Sequence, residues 1–188
     1  GYIESKAKES ELSLPLMLLL HKMLIANIRD NIAGRFRKEG EWVRVGAHIG
    51  ADPKDIEQLL TLMLAAYHGG KDGHIVARLA RLHLTFESIH PFNDGKGRIG
   101  RVLNNYELIR EGYVHINIAF ANRARYYDAF KEFQTNGSTK IMETIVTKAL
   151  TNSYHKRLAY IEDKVIMNLS DYAKEYKLSH TNLINKAK

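Results

Sequence analysis

The chain has 188 residues, a formal net charge of +7 and no cysteine, which excludes disulfides and thiolate metal sites. Its length fits one domain, or one domain with a small appendage, and no apolar run is long enough to predict a membrane span, so we expect a cytoplasmic protein without a membrane partner. The positive charge favours anionic partners such as nucleotides, nucleic acid or acidic protein surfaces, although lysines that merely solvate the surface explain it equally well.

The first part of the chain predicts helices separated by one short hairpin. Residues 1–11 are polar, and we expect them to be frayed. An amphipathic helix follows, with Ser13 as its N-cap. The segment 41–50 has strand propensity interrupted by glycine, which predicts an isolated hairpin. Asp52 then caps a second helix, which ends at Gly69.

Two further helices flank residues 90–101. Apolar residues recur at alternating steps of four and three over residues 74–89, which predicts a helix with one buried face. Pro91 disfavours helical backbone at His90, so this helix should end there. Helical periodicity resumes at Ile99. The residues between the two helices therefore form a loop that leads into a helix N-terminus.

This loop, His-Pro-Phe-Asn-Asp-Gly-Lys-Gly-Arg-Ile-Gly-Arg, concentrates groups suited to phosphate chemistry. His90 titrates near neutral pH and can accept a proton. Asp94 offers the oxygen ligands that magnesium takes beside phosphates. Backbone and side-chain groups for binding an anion come from Gly95, Gly97, Arg98 and Arg101. On the residues alone, a structural histidine and an ordinary glycine turn stay open as alternatives to a nucleotide-phosphate site.

The remainder of the chain predicts more helices and a distinct tail. Helical spacing is expected over residues 122–136 and 138–161. Residues 161–188 are spaced like a short helix, a turn and a second helix, which is typical of the start of a truncated helix-turn-helix. A solvated helical tail is the alternative. We therefore divide the chain into a domain of residues 1–160 and a tail of residues 161–188.

Residues 90–101 closely resemble a known family signature. They match the pattern of Fic-domain proteins, H-P-F-x-(D/E)-G-N-G-R-x-x-R, and depart from it at one fixed position, where Lys96 replaces Asn. The resemblance covers residues 12–160. It implies an all-α, Fic-type helical bundle with one small β-hairpin, called the flap, over the active site.

The same resemblance implies an activity and a set of site residues. Fic proteins of this kind are protein adenylyltransferases, nucleotidyltransferases that move AMP from ATP onto a Ser, Thr or Tyr hydroxyl of a target protein and release pyrophosphate. His90 would be the catalytic base, and Asp94 would bind Mg²⁺. ATP would contact Gly95, Lys96, Gly97, Arg98, Arg101, Tyr126 and Tyr127. The target protein would dock on the flap, formed by Val43, Arg44, Val45, Gly46, Ala47, His48 and Ile49.

Other functions and partners stay open. Another phosphoryl or nucleotidyl transfer, or removal of AMP, on the same scaffold is one alternative, and a non-enzymatic regulator that binds DNA through its tail is another. The family commonly carries an inhibitory helix with the pattern (S/T)-x-x-x-E-(G/N). Residues 5–10 match it poorly because Ser10 replaces Gly or Asn, so we expect any inhibition to come from a missing segment or an inhibitory partner. A homodimer is also left open.

Overall fold

The chain folds into helices with one short hairpin. The computed structural model describes residues 1–45, 48–70, 73–118 and 123–186. The helices are α1 Tyr2–Glu9, α2 Leu14–Ile25, α3 Ile56–Gly69, α4 Ile75–Ile89, α5 Lys96–Arg110, α6 Arg123–Asn136, α7 Lys140–Ile161, α8 Leu169–Glu175 and α9 His180–Lys186. Strands β1 Arg44–Val45 and β2 His48–Ile49 pair antiparallel between α2 and α3. The predicted all-α fold with one small β-hairpin is confirmed.

The N-terminal residues form helix α1, so the expectation of a frayed terminus is wrong. Ala7 is fully buried, and α1 packs on α5. The hydroxyl of the buried Tyr106 on α5 lies 3.0 Å from the carbonyl oxygen of Lys6 and 2.7 Å from that of Ser10. The Lys6 carbonyl also accepts from the Ser10 N–H at 3.0 Å, whereas the Ser10 carbonyl lies just beyond the end of α1, where the helix supplies no partner. Packing on α5 therefore stabilises a helix whose own sequence is too short and polar to form alone.

Helices α4 and α5 pack closely and lie on either side of the loop at residues 90–95. The predicted apolar face of α4 is buried, including Leu79, Leu82 and Phe86. Helix α5 approaches α4 at Gly100. A Cβ atom at this position would lie 3.0 Å from His83 Cε1 and would overlap the Glu87 carboxylate. The absence of a side chain at this position lets the two helices hold the loop between them at short range.

The chain divides into two compact units, residues 1–151 and residues 152–188. The first unit contains the flap and the loop at residues 90–101. The second contains α8 and α9, which are separated by residues 176–179. The domain boundary at residue 160 and the binding of DNA by the tail stay predictions. Among the described residues, every helix is too short or too polar to cross a bilayer.

Candidate active site

His90 ends α4 in a left-handed backbone conformation, with φ 56° and ψ 60°. Few residues other than glycine adopt this conformation. The imidazole Nδ1 donates a hydrogen bond to the carbonyl oxygen of Glu87. Because a carbonyl oxygen only accepts, this bond places the ring proton on Nδ1 and leaves Nε2 as the basic nitrogen. The end of α4 thus sets the tautomer that a proton acceptor at Nε2 requires.

Phe92 anchors the loop in the core. Its side chain is fully buried, and its ring stacks on the imidazole of His21 with centroids 3.8 Å apart and planes 11° apart. The Gly34 N–H donates to His21 Nδ1 at 3.0 Å, so Nε2 carries the proton that is donated to the Asp94 carbonyl at 3.1 Å. Burial lowers the pKa of His21, which favours this neutral form. His21 of α2 therefore fixes the loop through its stack on Phe92 and its hydrogen bond to the Asp94 carbonyl.

The Asp94 carboxylate is accessible to solvent and interacts with groups of the loop. The Gly95 N–H donates to Oδ1 at 2.6 Å, and the guanidiniums of Arg98 and Arg29 lie 3.7 Å and 3.8 Å from the two carboxylate oxygens. In the part of the chain that the structure describes, no three His, Cys, Asp or Glu residues are grouped so that they could hold a metal. One accessible carboxylate fits an Mg²⁺ ion held mainly by phosphates and water, and not a resident metal cage.

The N-terminus of α5 follows the loop directly. The helix begins at Lys96, three residues before the periodicity that resumes at Ile99, and the side chain of Lys96 lies outside the described part. Gly95 precedes the helix with φ +73°, and a Cβ atom there would lie 2.7 Å from Ile25 Cδ1, so both conformation and space favour glycine. The first-turn N–H groups of a helix have no partner within it and can bind an anion.

Two arginines project from the first turns of α5. Arg98 and Arg101 are both exposed. The Arg101 Nη1 atom lies 3.5 Å from the position that a Cβ atom on Gly97 would occupy, so the guanidinium reaches back along the helix towards its N-terminus. The structure thus places both arginines, Asp94 and the glycines on one loop and helix end, where their charges can act on one anion.

The two predicted tyrosines of α6 lie in different environments. Tyr126 is largely buried, its hydroxyl bonds to His83 Nε2, and burial raises its pKa. The Arg101 guanidinium and the Glu87 carboxylate also act on the Tyr126 hydroxyl. Tyr127 is 47% exposed, with its ring centroid 6.5 Å from that of Tyr126. Tyr127 is therefore the more exposed of the two rings, whereas Tyr126 lies beside His83 and Arg101.

The flap lies beside His90. Its strands pair Arg44 with Ile49 and Val45 with His48. The side chains of Arg44 and Ile49 are exposed, and the side chain of Val45 lies outside the described part. Gly46 and Ala47 also lie outside the described residues, and Val43 is half-buried. His48 Nε2 donates to the Ser88 carbonyl at 2.7 Å, and the His48 and His90 ring centroids are 6.3 Å apart. The predicted docking surface and the predicted base are therefore neighbours.

Two buried polar groups of α4 support these residues: the sequence predicts a buried, hydrogen-bonded His83, which the structure confirms, but sequence reasoning missed Glu87. His83 is 1% exposed, and Glu87 is also buried, with its carboxylate close to Gly100 of α5. Both lie on the apolar face of α4, seven and three residues before His90. A charged residue on the buried face of a helix rarely lacks a partner, and this signal could have pointed to Glu87.

We expect the buried His83 to make folding pH-dependent. Burial lowers the pKa of His83 from 6.5 to about 4. Below about pH 6.5 the unfolded chain binds a proton that the folded chain does not, so the free energy of unfolding should fall as the pH falls towards 4, by at most about 1.4 kcal/mol per pH unit. Urea unfolding between about pH 7 and pH 5 would measure this slope.

The variant His83→Gln should show a shallower pH slope than the parent, because it removes this proton-binding difference. His155→Gln, which changes an exposed histidine, is the matched control and should keep the parent slope. Equal slopes for the parent and His83→Gln would show that His83 does not titrate between the two states in this range.

The model of the Fic/DOC family matches residues 11–108. A protein named Protein adenylyltransferase Fic from Culex quinquefasciatus is 32% identical over 127 residues, which are 64% of this chain and 24% of that protein. A protein named Probable protein adenylyltransferase from Aquifex aeolicus is 30% identical over 141 residues, 74% of this chain and 42% of that protein. The chain therefore spans less than half the length of either relative.

Solved structures share the fold. A Fic-domain-containing signalling protein from Bacteroides thetaiotaomicron superposes with a TM-score of 0.76 at 22% identity, over 88% of this chain and 70% of that one. Fic-1 from C. elegans gives a TM-score of 0.69 at 22% identity, over 81% of this chain and 45% of that one. These similarities confirm the predicted Fic-type helical bundle. Because the family model also matches just over half of the chain, including the loop at residues 90–101, the chain belongs to the Fic/DOC family.

Proposed function

We propose that the chain is a protein adenylyltransferase, which transfers AMP from ATP to a Ser, Thr or Tyr hydroxyl of a target protein. The observation that carries this proposal is the setting of His90. Its Nε2 is the basic nitrogen, and the residues that follow it supply a carboxylate, a helix N-terminus and two arginines. The names of the curated relatives support the same reaction class.

In the proposed reaction, Nε2 of His90 accepts the proton of the target hydroxyl as the hydroxyl oxygen forms a bond to the α-phosphorus of ATP. The bond from that phosphorus to the bridging oxygen breaks, and pyrophosphate leaves with the electron pair. The N–H groups at the start of α5, together with Arg98 and Arg101, stabilise negative charge on the phosphates. Mg²⁺ bound through Asp94 would neutralise part of that charge.

ATP binding requires a local exchange of ion pairs. Arg98 lies 3.7 Å and Arg29 lies 3.8 Å from the Asp94 carboxylate, and both contacts are partly exposed, so they are weak. A phosphate group can draw Arg98 away at small cost, which leaves the carboxylate available for a cation. The same loop can therefore bind the phosphates through Arg98 and Mg²⁺ through Asp94.

The flap offers the target a place to dock by strand addition. An extended peptide that pairs with one of these short strands would use main-chain hydrogen bonds and demand little of its own sequence. The proximity of His48 to His90 would place such a peptide near the base.

We expect Tyr127→Ala to raise the dissociation constant for ATP. Stacking of a base on an aromatic ring is worth about 1–3 kcal/mol in nucleic-acid complexes, which corresponds to about 5- to 150-fold. Calorimetric titration with a non-hydrolysable ATP analogue and Mg²⁺ would measure the change. Tyr154→Ala, which removes another exposed tyrosine, should bind like the parent; equal affinities for parent and Tyr127→Ala would show that Tyr127 does not stack on the base.

The choice of labelled phosphate tests the reaction class. With ATP labelled at the α-phosphate, the parent should label a target protein, and with ATP labelled at the γ-phosphate it should not. Transfer of the γ-label would show phosphorylation instead, and loss of label from a target already carrying AMP would show the reverse reaction. Either result would contradict the proposed function.

A further inference from the structure

The C-terminal end of α4 is capped by the segment that carries the flap. The last four carbonyls of a helix have no partner within it. At the end of α4 these are the carbonyls of Glu87, Ser88 and Ile89 and that of His90, the residue that follows the helix. They accept, in that order, from His90 Nδ1, from His48 Nε2 at 2.7 Å, from the Ala51 N–H at 3.0 Å and from Arg37 Nε at 2.6 Å. Three of these four donors lie within residues 37–51, on or beside the flap.

Arg37 is the central group of this cap. Its side chain is only 3% exposed, and its guanidinium also donates to the carbonyls of Glu41 at 2.7 Å and Ala51 at 2.6 Å, one before and one after the flap. Its backbone N–H donates to the Pro91 carbonyl at 2.9 Å. The side chain and backbone of this one residue therefore join both ends of the flap to His90 and to Pro91.

The charge of Arg37 is stabilised without a close salt bridge, and the carboxylates of Glu41 and Asp52 act on it only from a greater distance. None of the ion pairs among the described residues includes Arg37. Desolvation lowers the pKa of this guanidinium, which reflects the cost of burying it. Carbonyl dipoles compensate for this cost together with those carboxylates, and two of the carbonyls, those of Ile89 and His90, lie at the negative end of the α4 dipole. The carbonyls at the end of α4 therefore stabilise the charge of Arg37, and Arg37 in turn supplies hydrogen-bond donors to those carbonyls.

We propose that Arg37 and His48 are positioning residues that fix the flap relative to His90. The inference rests on the proposed function: a peptide held by the flap would present its hydroxyl to Nε2 in a reactive geometry only if the flap and the end of α4 keep one arrangement. A misplacement of about 1 Å can cost about 100-fold in rate. Because both residues contact positions 88–91, and not the phosphate-binding residues 94–101, ATP binding should not depend on them.

The test measures kcat for AMP transfer to a target protein and, separately, the affinity for ATP. His48→Ala should lower kcat by about 10-fold or more, and Arg37→Met by about 100-fold, with the affinity for ATP within about twofold of the parent. His48→Gln retains an N–H donor and should recover most of the rate lost in His48→Ala. His48 is half-buried at a two-residue strand, so we expect its variants to fold even if Arg37→Met does not.

Met142→Ala is the control for lost stability, because it creates a cavity at a fully buried position of α7 without touching the flap. It should leave kcat near the parent value at a temperature where all variants are folded. An unchanged kcat in His48→Ala, or an equal fall in Met142→Ala, would overturn the inference.

Amide hydrogen exchange separates this inference from the proposed function. The Gly50 N–H bonds to the Val43 carbonyl, the Ala51 N–H to Ile89 and the His90 N–H to Phe86, all at 3.0–3.1 Å. In His48→Ala all three amides should exchange faster together, because the flap and the helix end loosen as one unit. This result would support the coupling even if the parent transferred no AMP; faster exchange at Gly50 alone would overturn it.

Discussion

Replacing His90 with alanine is expected to lower the rate of AMP transfer by about 100- to 10,000-fold, the usual contribution of a general base. The affinity for ATP should stay close to that of the parent, because Nε2 would contact the acceptor hydroxyl and not the phosphates. Initial rates with α-labelled ATP and calorimetric titration with a non-hydrolysable analogue would measure the two quantities.

The exposed His155 provides a matched control, since His155→Ala removes a histidine of α7 outside the predicted site residues. This variant should retain the parent rate. If His90→Ala binds ATP normally and transfers AMP as fast as the parent, another group accepts the proton, and the tautomer set by the Glu87 carbonyl has no catalytic role.

The largest loss of stability is expected from Phe92→Ala. The ring is fully buried between His21, Phe36 and Phe86, with centroids 3.8, 5.4 and 6.3 Å away. Removing a buried Phe ring typically costs about 3–5 kcal/mol, because apolar contacts are lost and a cavity remains. Urea denaturation would measure the change in the free energy of unfolding.

Phe133→Ala is the control, because its ring is only half-buried on α6; it should lose less stability. An equal loss in the two variants would show that the stack on His21 contributes nothing beyond ordinary packing. A large loss confined to Phe92→Ala would show that the loop carrying the predicted site is also one of the main anchors of the core.

The helices and the position of the loop could be predicted because their signals are local. Apolar spacing along α4 and the proline after His90 define a helix and its end within a few residues, and the structure ends α4 at Ile89. Strand propensity interrupted by glycine predicts the hairpin from the ten residues 41–50 alone. The family signature is also local, and the family match confirms it.

The supporting contacts could not be predicted because they join residues far apart in the sequence. Arg37 lies in a charged loop, and nothing near it indicates that it bonds to the His90 carbonyl 53 residues away. The hydroxyl of Tyr106 reaches the carbonyl of Lys6, 100 residues away, which explains why the polar segment at the N-terminus is helical. The different roles of the two tyrosines likewise depend on α4, through His83.

The roles of the individual site residues stay predictions, and the transfer of AMP is the claim on which they all depend. The most direct measurement is the intact mass of the purified chain after incubation with ATP and Mg²⁺, beside His90→Ala treated in the same way. We predict that the parent gains the mass of AMP on one of its own hydroxyls and that the variant gains none. A gain of a single phosphoryl group, or an equal gain of AMP in His90→Ala, would contradict the proposed reaction or the role of its base.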